Sequence, residues 1–78
     1  MPREDILDLI NEVIEENHGV VGDESTKLED TELDSFSVVL ILLELESKYN
    51  ISLKGAEDTF HRGTTLGELV DEVEKRVS

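Results

Sequence analysis

Ser35 is the residue of this chain best placed to do chemistry. It follows Asp34 and opens the most apolar stretch of the sequence, Val38-Val39-Leu40-Ile41-Leu42-Leu43. An aspartate is a strong helix N-cap, its carboxylate accepting a hydrogen bond from an N–H two or three residues on. Asp34 therefore predicts a helix that begins at Ser35. A hydroxyl in that first turn projects into solvent, and a phosphate attached to it would lie beside free N–H groups and the positive helix end. Serine also favours such positions for purely structural reasons. Position alone leaves a modified serine and a plain helix-start serine both open.

Other reactive constellations fail on spacing. A serine hydrolase needs a base and an orienting acid, with the nucleophile on a tight glycine-flanked turn. Ser35 has no flanking glycine, and His18 and His61 fall in segments expected at the surface. No catalytic residue is assigned. An EF-hand needs glycine at its sixth place and glutamate at its twelfth. Counted from Asp30 those places hold Ser35 and Ile41; counted from Asp23 they hold Leu28 and Asp34. The two histidines are too far apart to argue a metal pair and cysteine is absent, so no metal site is assigned.

The chain has 20 acids against 7 bases, a formal net charge of −13. Such a surface repels nucleic acid and anionic membranes and draws in basic patches on other proteins. The longest apolar run, Val38 to Leu43, is far short of the roughly 20 residues that span a bilayer. The N-terminus alternates acids with single apolar residues rather than forming a secretory signal. The expectation is a monomeric, cytoplasmic protein with no nucleic acid partner and no membrane insertion.

The elements that must position Ser35 follow from periodicity. Between Pro2 and Asn17 the apolar residues are Ile6, Leu7, Leu9, Ile10, Val13 and Ile14, and the 6, 10, 13 and 7, 10, 14 spacings put most of them on one helical face, with acids on the other. Residues 19–34 hold no sustained period and read as a long loop, with Leu28 and Leu33 as anchors onto the core. Ser35 to Tyr49 reads as the second helix, supported by Glu44 and Lys48 at the stabilising i, i+4 spacing. Ile51-Ser52-Leu53 is a short extended segment, and Ala56 to His61 holds one or two helical turns. Thr65-Leu66-Gly67-Glu68 forms a capping-box pattern before the stripe Leu66, Leu69, Val70, Val73 and Val77. The predicted fold is a single all-α domain over residues 1–78: three main helices, one short helix, and a long loop between the first two main helices.

Leu33-Asp34-Ser35-Phe36-Ser37, followed by Val39, Leu42, Leu43, Glu44, Leu45 and Glu46, resembles the phosphopantetheine attachment motif of acyl and peptidyl carrier proteins. The likeness extends over nearly the whole chain, in helix order, long first loop and the Thr-Leu that opens the last helix. It implies that Ser35 carries 4'-phosphopantetheine, with Asp34 as the flanking acid. A phosphopantetheinyl transferase would install the arm, whose thiol would hold cargo as a thioester. The chain itself would be a non-catalytic carrier. Two departures stand out: Phe36 replaces the usual Leu or Met, and Ser37 replaces an acid often found there.

The resemblance leaves the cargo open. An acyl carrier of fatty acid, polyketide or lipid chemistry is the first reading. An aminoacyl carrier of the D-alanyl or peptidyl type is the second, and a non-carrier acidic interaction module the third. The acidic surface favours the first. The tract Ile41-Leu42-Leu43-Glu44-Leu45-Glu46-Ser47-Lys48-Tyr49 resembles D-alanyl carriers and favours the second. The loading ligase or synthase is expected to bring a basic docking patch. Phe36, Leu40 and Glu44 are the candidate partner-binding residues, while Val39, Leu42, Leu43 and Leu45 are assigned to the core.

Overall fold

The computed structural model describes residues 2–55, 61 and 63–77. Among these residues, three α-helices run in order: α1 (Arg3–Glu16), α2 (Ser35–Tyr49) and α3 (Leu66–Val77). A 3-10 turn, Leu28–Thr31, lies in the long first connection. The expected short helix from Ala56 to His61 falls on positions 56–60 and so lies outside the described residues.

Each helix is held by the face its sequence supplies. From α1, Ile6, Ile10, Val13 and Ile14 are buried; from α3, Leu66, Leu69, Val70 and Val73. Ile41, Leu42 and Leu45 of α2 complete the centre, with Leu28 and Leu53 sealing it from the loops. α1 packs against both α2 and α3. Burying each of these large aliphatic side chains stabilises by about 1.5–3 kcal/mol relative to leaving it in water.

The helix ends are specific. At α3 the expected capping box is present and reciprocal. Thr65 N–H donates to Glu68 Oε1 at 3.1 Å, and Glu68 N–H donates to Thr65 Oγ1 at 3.2 Å. At the end of α1, His18 N–H reaches Glu15 O at 3.0 Å and Gly19 N–H reaches Ile14 O at 2.8 Å. This is the Schellman pattern, and it puts a left-handed conformation at His18, φ 65°. Glycine is the usual occupant of that position; here the nearby glycine comes one residue later.

The first loop is tied down along its length. Asn11 donates to Gly22 O at 2.8 Å and accepts from Gly22 N–H at 3.1 Å. Leu28 N–H donates to Thr64 O, and Leu66 N–H to Thr26 O, each at 2.8 Å, around a single bridge between Lys27 and Thr65. Gly67 N–H donates to Glu24 O at 2.9 Å. The backbones come so close there that a Cβ on Gly67 would sit 2.9 Å from that same oxygen. Leu28 is buried and Leu33 packs on the core edge, as their isolated apolar character in a polar segment predicts.

Candidate functional site

The loop delivers the chain to α2 through Asp34, which is extended at φ −84° and ψ 175°. Its Oδ1 accepts the Ser37 N–H at 2.9 Å, and its carbonyl accepts the Val38 N–H at 3.2 Å. That Ser37 N–H, bonding the charged form, holds the Asp34 carboxyl below the usual carboxylate range. Ser35 is thus the first helical residue, and its side chain is exposed. The Ser35 and Phe36 N–H groups belong to the first turn and have no intrahelical acceptor.

The other described serines are differently placed. Ser25 donates its hydroxyl to Asp23 Oδ1 at 2.6 Å inside a tight turn, and Ser52 Oγ accepts the Lys54 N–H. Ser37 is half-buried, and Ser47 sits late in α2. Ser35 alone joins exposure to a helix start. Its surroundings fit a phosphodiester: a free hydroxyl facing solvent, unpaired N–H groups beside it, and an acid whose charge is already engaged by the cap.

The outward side of α2 differs from the sequence expectation. Phe36 is 70% exposed, and Glu44 is exposed. Leu40, the third candidate partner-binding residue, is half-buried and does not belong to the core cluster. Val39 and Leu43, assigned to the core, are instead 48% and 53% exposed, whereas Ile41 is fully buried. The reason is that α2 carries two apolar stripes of the same spacing. Phe36, Val39, Leu40 and Leu43 form one; Val38, Ile41, Leu42 and Leu45 form the other. They are offset by two residues, about 200° at 3.6 residues per turn, so they lie on opposite faces. The second stripe turns inward. Tyr49 extends it by another turn and packs on the core, while Ser47 ends the first. That one-turn continuation is the signal in the sequence that could have distinguished them.

The expected Glu44–Lys48 pair is not formed among the described residues. Lys48 instead lines a groove between α1 and α2 with Asp5, Asp8, Leu9, Glu12 and Tyr49. Partial burial, reinforced by Asp5, raises the Tyr49 phenol above its ordinary value. His18 and His61 are both exposed. No helix among the described residues is long and apolar enough to cross a membrane.

An acidic helical bundle presenting an exposed serine at a capped helix start is the architecture of a carrier domain. The family model of the phosphopantetheine attachment site matches residues 4–73, and the chain belongs to that family. Neither the search of curated proteins nor that of solved structures returns a match. Carrier domains of this family bear 4'-phosphopantetheine covalently on a serine. They are not catalysts themselves; they serve as substrates of partner enzymes, a phosphopantetheinyl transferase among them.

Proposed function

We propose that Ser35 is the attachment serine and that the protein is an acyl carrier serving fatty acid, polyketide or lipid biosynthesis. The observation that carries the assignment is the pairing of an exposed Ser35 with the Asp34 cap at the first turn of α2. In the loading step Ser35 Oγ forms a phosphodiester bond to the phosphopantetheine of coenzyme A. The serine proton leaves, and the nucleotide portion of coenzyme A departs as the pyrophosphate bond breaks. The new phosphate would sit at the positive end of α2, beside the Ser35 and Phe36 N–H groups. When bound, the group supplies a terminal thiol on which cargo is held as a thioester.

Asp34 acts first as the cap that sets the direction in which Ser35 leaves the helix. The 20 acids favour encounter with enzymes that carry basic docking patches, and repulsion between like-charged copies favours a monomer. A cytoplasmic setting, where coenzyme A and a transferase are at hand, completes the reading.

An aminoacyl carrier of the D-alanyl or peptidyl type, loaded by an adenylating ligase, is the second reading. The exposed apolar side of α2, with Phe36, Val39 and Leu43, favours it over a purely acidic docking face.

The attachment is tested by intact mass after incubation with coenzyme A and a broad-specificity phosphopantetheinyl transferase. Wild type should gain one phosphopantetheine and Ser35→Ala none. A gain in the alanine variant would overturn the assignment. Cargo is then decided by supplying acyl- and aminoacyl-activating ligases to the modified protein and reading which mass appears.

A further inference from the structure

The groove between α1 and α2 lies at the end of α2 away from Ser35. At 1.5 Å per residue, Tyr49 is about 21 Å along the helix from that serine. The groove encloses about 350 Å³. Asp5, Asp8 and Glu12 of α1 line one wall at i, i+3 and i+7, with Leu9 among them, and Lys48 and Tyr49 of α2 line the other. The three carboxylates and Lys48 are exposed, whereas Leu9 and Tyr49 are half-buried and pack on the core. The groove therefore combines an apolar floor with one acidic wall.

Nothing within the molecule neutralises that wall. Among the described residues no ion pair reaches Asp5, Asp8, Glu12 or Lys48. Glu24, Asp71 and Glu74 differ, because they share Arg3. Asp8 and Glu12 are like charges at i, i+4, an arrangement that destabilises an isolated helix.

The spacing restricts the occupant. The carboxylates spread over about 10 Å of helix instead of converging on a point. Among the described residues no group of three or more acids and histidines is placed to hold a metal ion. A helix with bases at the same interval matches the row, and an aliphatic side chain between those bases would lie on Leu9 and the Tyr49 ring. Lys48 turns further cations away from the α2 wall. A second copy of this chain is a poor match, because each copy carries −13.

We propose that this groove is a docking site for a partner's basic amphipathic helix, its arginines or lysines on Asp5, Asp8 and Glu12 and an aliphatic side chain over Leu9 and Tyr49. The distance from Ser35 lets both ends of α2 be engaged at once. The proposal does not depend on what Ser35 carries.

Tyr49 reports on the groove directly, being the only tyrosine in a chain without tryptophan. The probe is a capped synthetic peptide with arginine at i, i+3 and i+7, leucine at i+4, and no tyrosine or tryptophan. A scrambled peptide of the same composition is its control. Each is titrated into wild type, Asp8→Asn/Glu12→Gln, and Asp30→Asn/Glu32→Gln, which removes the same charge from the first loop. Thermal melts establish that each protein folds. Affinity is read from Tyr49 fluorescence, and location from amide chemical shifts in NMR.

Wild type should bind the patterned peptide, with shifts centred on Leu9 and Tyr49 and none at Ser35 or Phe36. The groove variant should bind it about tenfold more weakly, the loss expected for two partly desolvated ion pairs. The loop variant should stay within about twofold of wild type, because salt screens distant charges. The scrambled peptide should bind wild type about tenfold more weakly than the patterned one, since it cannot present bases and leucine on one face. If the double variant melts early, Asp8→Asn alone decides the matter, with about threefold weakening expected. No binding by wild type would overturn the site. So would equal weakening in the two variants, or equal binding of the two peptides, because attraction to net charge would then explain both. Shifts centred elsewhere would overturn it as well. Sedimentation showing a wild-type dimer that the groove variant abolishes would do the same, since the occupant would then be a second copy.

Discussion

Arg3 Nη1 donates to Asp71 Oδ1 at 2.6 Å, joining the first turn of α1 to α3 across 68 positions of sequence. The same guanidinium pairs with Glu24 of the first loop and Glu74 of α3, and it reaches the Gly67 carbonyl at 3.4 Å. One cation thus holds three carboxylates that would otherwise face one another. Arg3 in turn holds the Glu24 carboxyl below its ordinary range.

Removing that cation should expose the repulsion. Arg3→Gln is expected to lower the melting temperature, and the variant should recover more than wild type does as salt is added. Between about 0.01 and 0.1 M salt the Debye length shrinks from about 30 to about 10 Å. Both proteins should therefore melt higher at the upper end, given the net charge of −13. Parallel salt curves for the two would show that Arg3 does not neutralise the cluster.

The orientation of α2 gives a paired prediction. Ile41→Ala removes a fully buried side chain and should cost about 2–4 kcal/mol in chemical denaturation. Val39→Ala, two residues away on the other face, should stay within about 0.5 kcal/mol of wild type. The reverse order would mean that the first stripe, not the second, faces the core.

His18 tests the end of α1. Its left-handed backbone costs a residue with a Cβ about 1–2 kcal/mol, which glycine avoids at the expense of a more flexible unfolded chain. His18→Gly should raise stability by about 0.5–1 kcal/mol. A loss instead would show that the imidazole makes a contribution beyond the backbone.

The Asp34 cap should respond to acid in a defined direction. Its carboxyl is depressed in the folded protein by the Ser37 N–H. The cap's contribution is therefore fully present above the unfolded value of about 3.9, and it is lost as pH falls through the lower folded value. The Ser37 amide proton, followed by NMR, should titrate with a midpoint below 3.9. Asp34→Asn should keep the cap but lose that titration, because asparagine caps without a charge to neutralise. A midpoint at or above 3.9 would mean the bond does not favour the charged form.

What the sequence determined by itself was local. The start of α2 at Ser35 was readable because an N-cap acts over three residues, and the Thr65–Glu68 box for the same reason. The single apolar faces of α1 and α3 were readable because one face was apolar and the other charged. The family likeness rested on the string around Ser35, which needs no folding to be seen. Tertiary structure alone decided the rest. Two apolar stripes of the same spacing on α2 left periodicity only the extra turn at Tyr49 to choose by, and packing against α1 selected Ile41 and Leu45 over Val39 and Leu43. The Asn11–Gly22 clasp joins a helix to a loop that carries no periodic signal. The Arg3 hub joins residues whose charges, in a chain with 20 acids, offer many pairings of similar strength. Among the described residues, the fold brings Glu24, Asp71 and Glu74 within reach of one guanidinium, and no spacing along the chain encodes which.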